Sequence, residues 1–279
     1  MSVRVARWLG RNWARVSYGR HVEPTWLDMT EIPVPVVGLP NELVGLRIAH
    51  LSDLHCGPHI PVAFLDQVIA ATFAGRPDLV ALTGDFVHKG YRSIDQVAEL
   101  VGRLAAPLGV FAVLGNHDFS VRNALAWRRH RGLHLAVASA LTAKGVTVLR
   151  NRTVTLERGG ATMQLTGLDD LWSRECDPVA ALAGFPSDVP RVILAHNPQT
   201  IHTIGDARCD LMLSGHTHGG QVDWPGLGRV TLGKHAKRLA AGMYPYGDGH
   251  LYVHRGVGYG FRFRFGVRPE VAFLTLVAA

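Results

Sequence analysis

The chain has 279 residues, 47% of them hydrophobic and 18% charged. That composition excludes disordered and fibrous classes. Its net charge of +7 comes almost wholly from arginine, since Lys89, Lys144, Lys234 and Lys237 are the lysines. Such a surface suits nucleic acid, an anionic membrane or a phosphorylated substrate, or reflects an arginine-rich composition alone.

Residues 1–20 are expected to form an amphipathic helix. Arg4, Arg7, Arg11 and Arg15 recur every three or four positions beside Val5, Trp8, Leu9, Trp13 and Val16. That face fits an anionic membrane surface or packing on the chain's own domain. The stretch from Pro24 to Pro40 reads as an extended lead-in with a strand near Ile32–Val37. A βαβαβ order follows: strands at Leu46–Leu51, Asp78–Leu82 and Val110–Leu114, and helices at Pro61–Ala74, Ser93–Leu104 and Val121–Arg131. Short β runs at Val146–Leu149, Thr153–Leu156 and Met163–Leu168 are split by Asn151-Arg152 and by Gly159-Gly160, a hairpin signal. A helix near Pro178–Ala183 precedes buried strands at Val192–Ala195 and Leu211–Leu213, and β pattern returns at Leu251–His254 and Val271–Leu276. The expected organisation is a lead-in over 1–45 and one domain over 46–279.

No stretch of about 18 apolar residues predicts a membrane span. The basic start lacks the apolar region of a signal peptide. Three cysteines, Cys56, Cys176 and Cys209, are too few for a disulfide framework. The expected location is the cytoplasm, either free or peripheral on the inner face of the membrane.

Histidine is the unusual count, at 15. The informative histidines share one place in the pattern, directly after a predicted buried strand, where α/β folds bind ligands. The groups are Asp53-Leu54-His55, Gly84-Asp85, Gly115-Asn116-His117-Asp118, His196-Asn197 and Gly215-His216-Thr217-His218. In an extended segment Asp53 and His55 would point the same way. Mixed oxygen and imidazole donors suit Mn²⁺, Fe or Zn²⁺ better than Ca²⁺. There are too many donors for one ion, so two ions sharing an aspartate are expected. Such a pair forms a clamp for phosphoryl transfer to water. His117 stands either within the metal set or beside it.

These motifs, in this order over about Leu46–His218, resemble the calcineurin-like metallophosphoesterases. The resemblance implies an α/β fold, a four-layer αββα sandwich. It implies that Asp53, His55 and His218 hold one metal, that Asn116, His196 and His216 hold the other, and that Asp85 bridges them. It further implies that His117 faces the phosphate as catalytic acid or transition-state stabiliser, that Asp118 orients it, and that a hydroxide shared by the metals attacks phosphorus. Gly219-Gly220-Gln221, Gly256-Val257-Gly258 and Arg268-Pro269-Glu270 look like a branch of membrane-associated phosphodiesterases similar to UDP-2,3-diacylglucosamine pyrophosphatases. The implied reaction releases UMP and lipid X. A soluble phosphodiesterase for small or cyclic nucleotide diesters, and a non-catalytic metal scaffold, are the alternatives. An intact His117 argues against the scaffold, and nucleic acid is not the expected partner.

Other residues carry weaker expectations. Strand alternation points Cys56 away from the metals, and His50 lies within a strand. His59 and His88 sit in loops where they contact substrate phosphate or solvent. Asp169 and Asp170 cap the next segment or shape the rim. Arg262 and Arg264 alternate with Phe261, Phe263 and Phe265. In a strand that puts both arginines on one face, either solvated or binding phosphate alongside Arg255 and Arg268. Lys234–Tyr246, including His235, reads as a glycine-bounded apolar flap that meets acyl chains or a bilayer.

Overall fold

Short, mostly apolar runs alternate with longer helical ones from Arg47 onward, and most of these become buried parallel strands with helices laid over them. The computed structural model describes residues 3–122, 125, 128–234 and 236–279, and within the N-terminal helix it describes side chains at residue 10 and from residue 12 onward. In chain order the first half holds α1 (Val3–His21), β1 (Asp28–Val36), β2 (Arg47–Leu51), α2 (Val62–Ala74), β3 (Leu79–Thr83), α3 (Ile94–Val101), β4 (Val110–Val113), α4 (Leu133–Ala143) and β5 (Thr147–Val148). The second half holds β6 (Arg152–Arg158), β7 (Ala161–Gly167), α5 (Pro178–Leu182), β8 (Arg191–Leu194), β9 (Leu211–Ser214), β10 (Asp223–Trp224), β11 (Gly228–Arg229), β12 (Gly242–Tyr246), β13 (Gly249–Val253) and β14 (Glu270–Ala278).

Two mixed six-stranded sheets result, ordered β1-β14-β2-β3-β4-β5 and β12-β13-β9-β8-β7-β6. Three apolar clusters define the layers. Ile48, Leu79, Phe111, Leu165, Leu194 and Leu274 fill the space between the sheets. Leu51, Leu82 and Ala112 pack outward under Phe64 and Val68 of α2, Val97 of α3 and Val137 of α4. Ile193, Met212 and Val253 face Ala181 of α5 and Ile201 on the other outer side. This is the expected sandwich, with helices outside two face-to-face sheets.

Several local expectations change. The strand within the lead-in is longer than predicted: β1 pairs in parallel with β14 from Asp28↔Glu270 to Val36↔Ala278 and forms the outer strand of the first sheet. The helix expected over Val121–Arg131 includes residues 123, 124, 126 and 127, which lie outside the described residues. The helix that covers β4 and β5 is α4, which begins after Gly132. The second half of the expected flap is β12, an edge strand paired antiparallel with β13. His235 lies outside the described residues.

The Phe261–Phe265 stretch is a loop, not a strand. Arg262 is exposed while Arg264 is fully buried, so the two do not share a face. The Arg264 guanidinium donates to the backbone carbonyls of Arg255, Gly256, Gly258 and Val267. The C-terminal turn of α1 packs here: Tyr18 meets Trp26 and Phe265 edge-on at 6.3 and 6.1 Å, and the Gly19 carbonyl accepts from the Arg264 N–H at 2.8 Å. Trp13 on the same helix is 75% exposed. The side chains of Arg4, Val5, Arg7, Trp8, Leu9 and Arg11 lie outside the described residues.

Candidate dinuclear metal centre

Five strands end at one place. β2, β3 and β4 of the first sheet lead into Asp53 and His55, Asp85, and Asn116 to Asp118, while β8 and β9 of the second lead into His196 and into His216 and His218. The turns are tight. Asp53, His55, Asp85, His216 and His218 all adopt left-handed backbone, with φ of 56, 45, 55, 71 and 52°. Each such residue costs on the order of 1–3 kcal/mol, and side chains held this way cluster at functional sites. Asp53 and His55 therefore converge through a strained turn and not through the strand alternation expected of them. Gly215 permits the crossing, since a Cβ there would lie 1.8 Å from Ser52 Oγ and 2.3 Å from Asp53 Oδ2.

The donors form two sets joined by one carboxylate. In the first, His55 Nε2 and His218 Nε2 face each other at 2.9 Å, and His218 Nε2 lies 3.2 Å from Asp53 Oδ1. In the second, His216 Nδ1 lies 2.9 Å from Asn116 Oδ1 and 3.3 Å from His196 Nε2. Asp85 Oδ2 lies between them, 3.5 Å from His55 Nε2 and 3.3 Å from His196 Nε2. Ligands about 2.0–2.2 Å from a common ion stand roughly 3 Å apart, so both sets have the spacing of a coordination shell.

Charge states agree. Burial opposes ionisation of Asp53 and Asp85, but His218 for the one and His196 for the other hold both carboxyls far below the usual range. Burial and the neighbouring His117 keep His55 neutral. Burial and His196 push His216 down to about 3. His196 differs: burial works against its charge, yet Asp85 raises it to about 10, so without metal it carries the proton a cation would displace. Its Nδ1 donates to the Thr83 carbonyl at 2.7 Å, which aims Nε2 into the centre. Ionised carboxylates and inward-facing imidazole nitrogens are what a pair of divalent ions requires, so the residues fit the expected metals.

His117 lies at the edge of the centre, its ring 4.6 Å from that of His55. Its Nδ1 donates to the His88 carbonyl at 2.9 Å, and its backbone N–H donates to Asp85 at 2.8 Å. Asp118 does not orient the His117 ring as expected. Its oxygens accept from the N–H groups of Phe86, Val87 and Gly115, binding the second ligand loop to the third. Burial and the Asp85 charge push its pKa up to about 7.

Cys56 is buried in the apolar core, where burial raises its thiol to about 11. Asp170 caps the turn Leu171–Ser173 by accepting from Trp172 and Ser173. That turn sets Trp172 edge-on against His216 at 4.4 Å, a wall that no sequence signal marked. His50 is fully buried and bonds Thr83 Oγ1 at 2.8 Å.

Three recesses border the centre. One, of about 390 Å³, is lined by His88, Lys89, His117, Arg122, Arg129 and His130 among others, with no carboxylate among the described lining residues. Another, of about 190 Å³, is lined mainly by Trp172, Pro198, His216, Leu232 and Leu239. His59 shares a third, of about 290 Å³, with His55, His88 and Arg262.

Residues 46–220 match the family model described as calcineurin-like phosphoesterase. The chain is 33% identical to phosphodiesterase YaeI of Escherichia coli, over 93% of this chain and 92% of that protein. It is 30% identical to UDP-2,3-diacylglucosamine pyrophosphatase LpxG of Chlamydia trachomatis, over 92% and 91%. Among solved structures, phosphopantetheinyl hydrolase of Mycobacterium tuberculosis shares the fold, with a TM-score of 0.51 at 12% identity, over 79% of this chain and 92% of that one.

Proposed function

Because the chain belongs to the calcineurin-like phosphoesterases, a family of metal-dependent hydrolases, we propose that it hydrolyses a phosphodiester or pyrophosphate bond at a centre of two divalent ions, Mn²⁺ first. The observation that carries this is Asp85 Oδ2 standing 3.5 and 3.3 Å from the nearest imidazole nitrogens of the two donor sets. The ions, when bound, activate water and neutralise phosphate oxygens. Asp53, His55 and His218 would hold one, Asn116, His196 and His216 the other, and Asp85 would serve both.

The remaining chemistry belongs to the chain. His117 faces the phosphate with Nε2, because Nδ1 is committed to the His88 carbonyl. Nε2 is then placed to donate to a phosphate oxygen or to protonate the leaving group. The basic recess beside His117 accepts the charged part of the substrate. The recess between Trp172 and Leu239 accepts an apolar or planar part.

A lipid-linked nucleotide such as UDP-2,3-diacylglucosamine combines both, and the similarity to the chlamydial enzyme supports it. The lipid reading also draws on Trp13 and Val16, 75% and 42% exposed on α1. Residues 1–20 and 234–246 would then lie on an anionic membrane from the cytoplasmic side. No helix among the described residues is long and apolar enough to cross one. The similarity to YaeI favours a second reading, a phosphodiesterase for small diesters.

Incubation with UDP-2,3-diacylglucosamine and Mn²⁺ should release UMP. Hydrolysis of bis-p-nitrophenyl phosphate without UMP release would leave the second reading. Co-sedimentation with phosphatidylglycerol vesicles should weaken when residues 1–20 are removed, and equal binding by both forms would remove the membrane role of that helix.

A further inference from the structure

Arg264 is fully buried, yet no ion pair among the described residues neutralises it. Burying a charge this way costs several kcal/mol unless hydrogen bonds compensate. Here the compensation comes from backbone carbonyls. Nη1 donates to Arg255 and Val267 at 3.0 and 3.1 Å, and Nη2 donates to Arg255, Gly256 and Gly258. Three of these four carbonyls belong to one loop, residues 255–258.

That loop is built against the first donor set. The Gly258 N–H donates to the Asp53 carbonyl at 2.7 Å, and the Val257 N–H to the Ser52 carbonyl at 2.9 Å. Gly256, at φ +75°, passes so close that a Cβ would stand 2.9 Å from His218 Nδ1 and 3.1 Å from Asp53 Cβ. His55 Nδ1 and His218 Nδ1 have no hydrogen-bond partner among the described residues. The second set is instead tied to the Thr83 and Val121 carbonyls by His196 and Asn116.

We infer that Arg264 is a positioning residue for the ion held by Asp53, His55 and His218. By gathering the loop's carbonyls it presses Gly256 against His218 and fixes the backbone of Asp53. Burial pushes the guanidinium pKa down to about 10, and the Asp53 charge works against that shift in favour of the cation. It touches neither substrate nor reacting atoms. The inference rests on the two-ion reading above.

The test is Mn²⁺ titration of the metal-stripped full chain, followed by electron paramagnetic resonance and near-UV circular dichroism. The wild type should take two ions that couple magnetically. Arg264→Met should keep its dichroism and one ion, with the other bound about 10–100-fold more weakly, the usual effect of losing an outer support. Its spectrum should become that of an isolated Mn²⁺ and match His218→Ala, not His216→Ala. Arg264→Lys keeps a cation with fewer donors and should fall between; it decides the matter if Arg264→Met does not fold. Two ions bound with wild-type affinity, or both weakened alike, would overturn the role of Arg264. A wild type that takes fewer than two ions would overturn the metal centre itself.

Discussion

The two halves of the centre are supported differently. His196 and Asn116 hang from the end of β3 and from the Val121 carbonyl, so their geometry follows from sheet register and one turn. Asp53, His55 and His218 are all in left-handed backbone, and Asp53 and His218 meet a loop whose carbonyls a buried arginine gathers. In the second set two side chains are tied straight to backbone carbonyls, and His216 is the ligand in left-handed backbone. In the other half Asp53 is shared between Gly84, which accepts from its N–H, and a segment more than 200 residues further along, which donates to its carbonyl. The first-set ion should therefore be the more readily lost.

The largest effect should come from the residue common to both halves. Asp85→Ala should leave neither ion tightly bound and abolish diester hydrolysis, as measured by metal content and turnover. Retention of both ions would break the picture of a shared carboxylate. His117→Ala belongs to neither half. It should lower kcat about 10²–10⁴-fold, the range of an acid–base group, with two ions still bound. An ion lost along with activity would place His117 inside the ligand set. His218→Ala and His196→Ala should each lose one ion, and the one retained by His196→Ala should be the weaker, as read by competition with a chelator.

These residues are legible because each motif follows a short apolar run that reads as a buried strand. Sequence order then brings five such ends to one edge of two sheets. The supports were not legible. Arg264 alternates with phenylalanines as a surface strand would. Its burial depends on carbonyls of residues 255–258, and backbone groups carry no sequence signature. Asp118 reads as a partner for its neighbour His117, yet it serves N–H groups of a loop 31 and 32 residues earlier. The N-terminal helix and its basic period were legible, whereas its docking on Phe265 and Arg264 joins positions some 245 residues apart.

A smaller effect separates the supports from the ligands. Glu270 takes hydrogen bonds from Thr30, Tyr252 and Arg255. Burial opposes its charge, but His254 and Arg255 hold its pKa down at about 2, against an ordinary 4.5. A depressed carboxyl stabilises the fold above its unfolded pKa and loses that contribution as pH falls toward its folded one. Glu270→Gln should therefore lower Tm at pH 7 and lose that deficit between pH 4.5 and 2. A deficit that does not change with pH would contradict the charge assigned to Glu270.

The expectation from the two donor sets is that hydrolysis requires two ions, not one. It is tested most directly by following bis-p-nitrophenyl phosphate hydrolysis while the metal-stripped chain is titrated with Mn²⁺. The geometry predicts that turnover stays near zero through the first equivalent and rises to a plateau at two ions per chain. Full turnover at one equivalent, or without metal, would contradict it.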